Sequence, residues 1–86
     1  MIKLKYYQDP GHGWVAVRKS LLVDLGISDK ITSYSYMKGD LAYLEEDCDL
    51  PALTTALALK GQMVSYQYHC TNSRSRIRNY SQYSQA

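Results

Sequence analysis

The sequence predicts an α+β fold, a mostly antiparallel sheet with two short helices on one face. Three observations carry this. Apolar residues alternate with polar ones in several short runs, the mark of half-buried strands. Two other runs space their apolar residues at helical intervals. Turn residues (Gly, Pro, Asp) separate the runs at hairpin distances. The expected order is ββαββαβ, closing as a two-layer sandwich.

In "MIKLKYY", Ile2, Leu4 and Tyr6 point one way and Lys3 and Lys5 the other, giving the first strand. "QDPGHG" supplies turn chemistry, and its glycines suggest positive φ. "WVAV" is the return strand. Val17, Leu21, Leu22 and Leu25 then fall at helical spacing, so "RKSLLVDLG" is a helix with Gly26 at C′ and Ile27 as its apolar contact. After the polar break "SDK", "ITSYSYM" is the third strand, with Tyr34 and Tyr36 on one face and Ile31, Ser33 and Ser35 on the other. "KGD" is a tight turn and "LAYLEE" the fourth strand. Asp47 or Asp49 caps the next helix, which tolerates Pro51 in its first turn. Leu50, Leu53, Ala56 and Leu57 form its buried stripe, and Gly61 ends it. "MVSYQYHC" is the fifth strand. The strand–turn–strand–helix order occurs twice, with no repeated residue motif. Residues 1–70 make the domain. Residues 71–86, rich in Ser, Gln and Tyr, read as an extended or frayed basic arm.

Eighty-six residues give one small core. Nine Tyr, one Trp and no Phe place nearly all the aromatic area on side chains that tolerate a wet boundary. They fill half-buried strand positions or line a Tyr-rich binding face. With both helices on one face, the other sheet face is left to water or a partner. The net charge of +2 is uneven: residues 1–70 hold seven bases against eight acids, and the arm adds three arginines. This excludes a globally basic nucleic-acid coat. The N-terminus lacks the apolar segment of a signal peptide, and no run reaches a membrane span. The expected location is a bacterial cytoplasm, where Cys48 and Cys70 are free thiols.

The stretches "YYQDPGHGWVAV", "LLVDLGI" and "SYSYMKGDLAYLEEDCD" resemble a family of small uncharacterised proteins of phages, prophages and plasmids. The resemblance spans roughly residues 6–50 and brings no catalytic residues with it. It implies a mobile-element accessory protein that binds host or phage components.

Four candidate features emerge. His12, between two glycines beside Trp14, is a solvated turn residue, a partner contact or, with Asp9 as its base, a catalytic group. The acids Glu45, Glu46, Asp47 and Asp49 suit a surface that meets a basic partner. They also suit a helix-dipole or solvated strand end, or a Mg²⁺ or acid–base pair. Arg74, Arg76 and Arg78 share one face of an extended arm, with Tyr80 and Tyr83 able to stack on bases. The same arm could instead dock on the chain's own acidic cluster, exchange into a dimer, or stay free. A zinc site from His12, His69, Cys48 and Cys70 lacks the short ligand spacing such sites use, so no metal or other cofactor is expected. The expected function is a non-enzymatic binding protein that modulates a host or phage protein, for example an inhibitor of an antiviral defence complex such as an anti-CRISPR. The alternatives are a nucleic-acid binder using the C-terminal arm and a small hydrolase around His12. A homodimer is expected to be accessible through the sheet or the arm, and no membrane partner is expected.

Overall fold

The computed structural model describes residues 2–84. It is an α+β domain: a six-stranded, mostly antiparallel sheet with two helices. The strands are β1 (Ile2–Gln8), β2 (Gly13–Arg18), β3 (Tyr36–Lys38), β4 (Leu41–Glu45), β5 (Val64–Cys70) and β6 (Ser81–Gln82). The helices are α1 (Lys19–Asp24) and α2 (Leu50–Leu59), with 3₁₀ turns at Ser28–Lys30 and Arg76–Asn79. The sheet order is β5-β1-β2-β4-β3-β6, and only β1 and β5 run parallel. No helix among the described residues is long and apolar enough to cross a membrane.

Both helices stop where the glycines dictate. Gly26 has φ +72° and Gly61 φ +73°, left-handed values that cost other residues more. At each end the two following N–H groups return to the last turn: Gly26 to Val23 and Ile27 to Leu22, Gly61 to Ala58 and Gln62 to Leu57. Ile27 is then buried in the main core beside Leu22. The α2 stripe packs as its spacing dictates, with Leu53 and Leu57 buried and Leu50 and Ala56 at the margin. These residues meet Val17, Ala42 and Leu44 of the sheet.

The opposite sheet face is not open. Trp14 and Tyr43 are buried there beneath Ile77, with Tyr7, Tyr36 and Tyr80 around them. The C-terminal segment makes this cover, so residues 71–84 are not an extended arm. Ile77 is 3% exposed on this face, and Tyr83, 7% exposed, joins the main core. Between them β6 pairs with β3 along the sheet edge. The Tyr83 hydroxyl donates to Ser28 O at 2.8 Å. Burial of Ile77 and Tyr83, each removing a large area from water, helps to fold this otherwise polar stretch back. Residues 85–86 of the expected arm lie outside the described residues.

The third strand is also shorter than its alternation suggests: residues 31–35 form a loop and β3 starts at Tyr36. Asp49 is the cause. Its Oδ1 accepts from the Thr32 N–H at 3.1 Å, and its Oδ2 accepts from Thr32 Oγ1 at 2.8 Å and from the Ser35 hydroxyl. The Ser35 oxygen accepts in turn from the Glu45 N–H at 2.9 Å. These bonds take the place of a ladder, bury Ser35 and leave Tyr34 in solvent. Asp49 stands at the N-cap position of α2, yet its side chain serves this loop and makes no capping bond.

Candidate functional site

The turn between β1 and β2 is built around Asp9, which is buried. Its N–H donates to His12 O at 2.9 Å, closing the turn. Its Oδ1 accepts from the N–H groups of Gly11 and His12, both at 3.0 Å. Its Oδ2 accepts from the Ser75 N–H at 3.0 Å and from Arg78 Nε at 2.7 Å, and Arg78 Nη2 donates to Oδ1 at 2.9 Å. The Arg78 fork and these N–H donors hold the Asp9 carboxyl far below the usual carboxylate range, against the opposing effect of burial. Arg78 also lies over the Trp14 ring, 5.1 Å from its centroid. The C-terminal segment thus docks on Asp9, not on the acidic cluster.

Neither turn glycine needs positive φ; among the described residues only Gly26, Gly39 and Gly61 have it. Close approach is what excludes a side chain. A Cβ at Gly11 would stand 2.9 Å from Arg78 Nη2. One at Gly13 would stand 2.6 Å from Tyr6 Cε1 and 2.9 Å from Glu46 Oε2.

That fixed turn holds His12 beside the end of β4. His12 is exposed, with Nδ1 3.5 Å from Glu45 Oε1. Glu45 is buried, and its Oε2 accepts from the Asp47 and Cys48 N–H groups at 2.9 and 2.7 Å. Glu46, half-buried, accepts from the Tyr6 hydroxyl. Burial and then Glu46 keep the Tyr6 proton on to well above the ordinary phenol range. One ligand atom from each of His12, Glu45, Glu46 and Asp47 lies within 4.8 Å of the others. Such a set has the donors of a divalent-cation site, although Glu45 Oε2 and Glu46 Oε2 already serve protein donors. The Cys48 thiol is pushed up, chiefly by its hydrogen bond to Glu45. That is the reverse of an activated nucleophile.

Of the expected surface residues, His12, Glu46 and Asp47 gather at this corner in contact with solvent. Trp14, Glu45 and Asp49 do not form a surface: they are 2%, 6% and 1% exposed and support the corner or the core. The three arginines do not share a face. Arg78 turns inward to Asp9 because the chain makes a 3₁₀ turn at 76–79, while Arg74 and Arg76 stay exposed. Tyr80 packs on Tyr43, ring centroids 5.2 Å apart. His69 stacks on Tyr7, and Cys70 Sγ lies 3.8 Å from Gln8 Oε1. Sequence reasoning missed Asp9 as the clamp and Ile77 as the cover. The "DPGHG" turn carries the first signal, since an Asp two and three residues before glycine-flanked N–H groups is an Asx-turn former. Comparison with protein families, with curated proteins and with solved structures finds no match to this chain.

Proposed function

We propose that the protein is a small binding protein that acts without catalysis, docking the His12–Glu46–Asp47 corner on a basic surface of a host or phage protein. The observation that carries this is the corner itself: three solvent-contacting polar side chains set by main-chain bonds around buried Glu45. A surface held rigid before contact loses little entropy on binding, and its negative charge steers a basic partner. The resemblance read in residues 6–50 is the reason to seek the partner in host or phage machinery. We take a bacterial antiviral defence complex as the first to test and the bacterial cytoplasm as the setting. The raised Cys48 thiol, the opposite of an activated nucleophile, supports binding over hydrolysis.

The test is affinity capture from host lysate with the native chain and with a His12→Ala/Asp47→Lys variant, both positions being exposed. A partner retained by the native chain, weakened by added salt and lost by at least about tenfold in the variant is the expected result. Equal capture by both chains overturns the assignment.

Self-association, on the same reading, runs along β5. Thr71 N–H donates to Gln8 O and Met63 O accepts from Ile2 N–H, so the odd-numbered residues turn their main-chain groups toward β1. Val64, Tyr66, Tyr68 and Cys70 turn theirs to the free edge. "VSYQYHC" carries no Lys, Arg, Asp, Glu or Pro, the residues that usually guard an edge. Light scattering across a concentration series should show a dimer that Tyr68→Pro abolishes, since proline removes an outward donor and leaves the β1 ladder intact. A monomer at every concentration counts against it.

A further inference from the structure

A cleft of about 600 Å³ opens where the C-terminal segment crosses the face opposite the helices. Its volume lies within the range of small-molecule sites. Tyr7 and His69, paired across β1 and β5, stack with ring centroids 5.1 Å apart and planes 22° apart. Tyr43, 6.2 Å from Tyr7 between ring centroids, and Tyr80, 5.2 Å from Tyr43, continue the aromatic lining beside Ile77. Arg74 and Arg76 line the cleft, both exposed and neither with an ion-pair partner among the described residues. Among the described residues no carboxylate side chain lines it. The chain's eight acids are all placed elsewhere, although Asp9 lies only one residue beyond Gln8 in the lining.

This combination selects a ligand with two parts. Flat aromatic walls favour a planar ring system, which gains stacking contact that an aliphatic ligand does not. Two unpaired guanidinium groups with no nearby lining carboxylate favour a group of oxyanions, and arginine's planar fork fits phosphate in particular. We propose that the cleft is a nucleotide-binding site. The base lies against the Tyr7–His69 pair and Tyr80, and the phosphate lies at Arg74 and Arg76. The site is separate from the His12 corner and does not depend on that corner's partner. The stacking walls accept any base, because stacking is tolerant of sequence. The nucleotide arrives either free or as a unit of a single strand, and both present the same base and phosphate.

The test is a titration of the isotope-labelled full chain, followed by NMR, with AMP, with a short oligothymidylate and with inorganic phosphate. The expected result is saturable shifts at residues of the cleft, including the His69 ring, with AMP and the oligonucleotide and much weaker ones with phosphate. Arg74→Ala/Arg76→Ala should weaken binding by at least about tenfold. His69→Ala should weaken it severalfold by removing one stacking partner. All three side chains are exposed, so the fold is kept, and the spectrum of each variant verifies it. Tighter binding of the oligonucleotide than of AMP identifies the strand as the source, and equal binding identifies the free nucleotide. Absence of shifts at millimolar AMP and oligonucleotide overturns the proposal. So does binding unchanged in the double arginine variant, or phosphate binding as tight as AMP. The His12→Ala/Asp47→Lys chain should bind AMP as the native chain does, which separates this site from the corner.

Discussion

A chain that ends at Cys70 should fail to fold. Removing residues 71–86 takes Tyr83 from the main core and Ile77 from the second cluster. Each buried side chain of this size contributes about 1.5–3 kcal/mol by its burial alone. The deletion also bares Trp14 and Tyr43 and leaves Asp9 without Arg78. Small domains hold only about 5–15 kcal/mol in total, and an 86-residue chain sits toward the lower end. The loss should therefore consume most or all of the stability. Trp14, the one tryptophan, is the natural probe: 2% exposed in the native chain, it should shift its emission to that of a solvated indole. Ile77→Ala is the milder version and should cost about 2–4 kcal/mol in urea denaturation. A shortened chain that unfolds cooperatively at the native midpoint would show that the segment only decorates the surface.

Asp9→Asn should cost about 3–5 kcal/mol, the usual loss when one partner of a buried ion pair is removed. The amide keeps the shape but loses the charge that faces Arg78, and its NH₂ cannot accept where a carboxylate oxygen did. Arg78 is then left beside Trp14 with its charge unpaired and its side chain 26% exposed. The pH dependence follows from the same pair. The Asp9 carboxyl is lowered in the folded chain relative to the unfolded one, so the unfolded state binds the proton more readily in acid. The stabilisation is fully present above the ordinary aspartate range, near about pH 4, and is lost as pH falls below it toward the folded-state value. Thermal melts from neutral pH down to strong acid should show this loss in the native chain and a shallower slope in Asp9→Asn. An equal slope in both would assign the acid sensitivity to other carboxylates.

The parts of this fold that could be read from the sequence are those in which one periodicity or one glycine decides the outcome. β1 follows from the alternation of Ile2, Leu4 and Tyr6 with two lysines, α2 from its Leu stripe, and both helix ends from a glycine at C′. The parts that could not be read depend on partners far along the chain. Asp9 meets Ser75 and Arg78, and Asp49 meets Thr32 and Ser35. No local pattern announces a carboxylate that closes a distant loop. "RSRIR" alternates like a strand, yet Ile77 finds a hydrophobic seat and the backbone tightens into a 3₁₀ turn to reach it. For the candidate site, the corner was legible as residue types (one His, three neighbouring acids) but not as depth. Trp14 and Glu45 look like surface residues in a turn and at a strand end until the C-terminal segment and the turn main chain cover them. The cleft was not legible at all. Tyr7, His69, Tyr43 and Arg74 share no motif and meet only because β5 lies beside β1 and the chain returns across them.

The order β5-β1-β2-β4-β3-β6 places the first four strands to be synthesised in the middle of the sheet and the last two at its rims. While the chain is being made, β1 and β3 are therefore bare borders, and both remain so until the final third of the polypeptide has emerged. Such borders template pairing with other chains. Lys3 and Lys5 give β1 some protection during that interval, and β3 has its brevity and Lys38. A prematurely terminated product would not be a smaller version of this protein. It would be a four-strand fragment with two adhesive borders, and its fate would be clearance or aggregation.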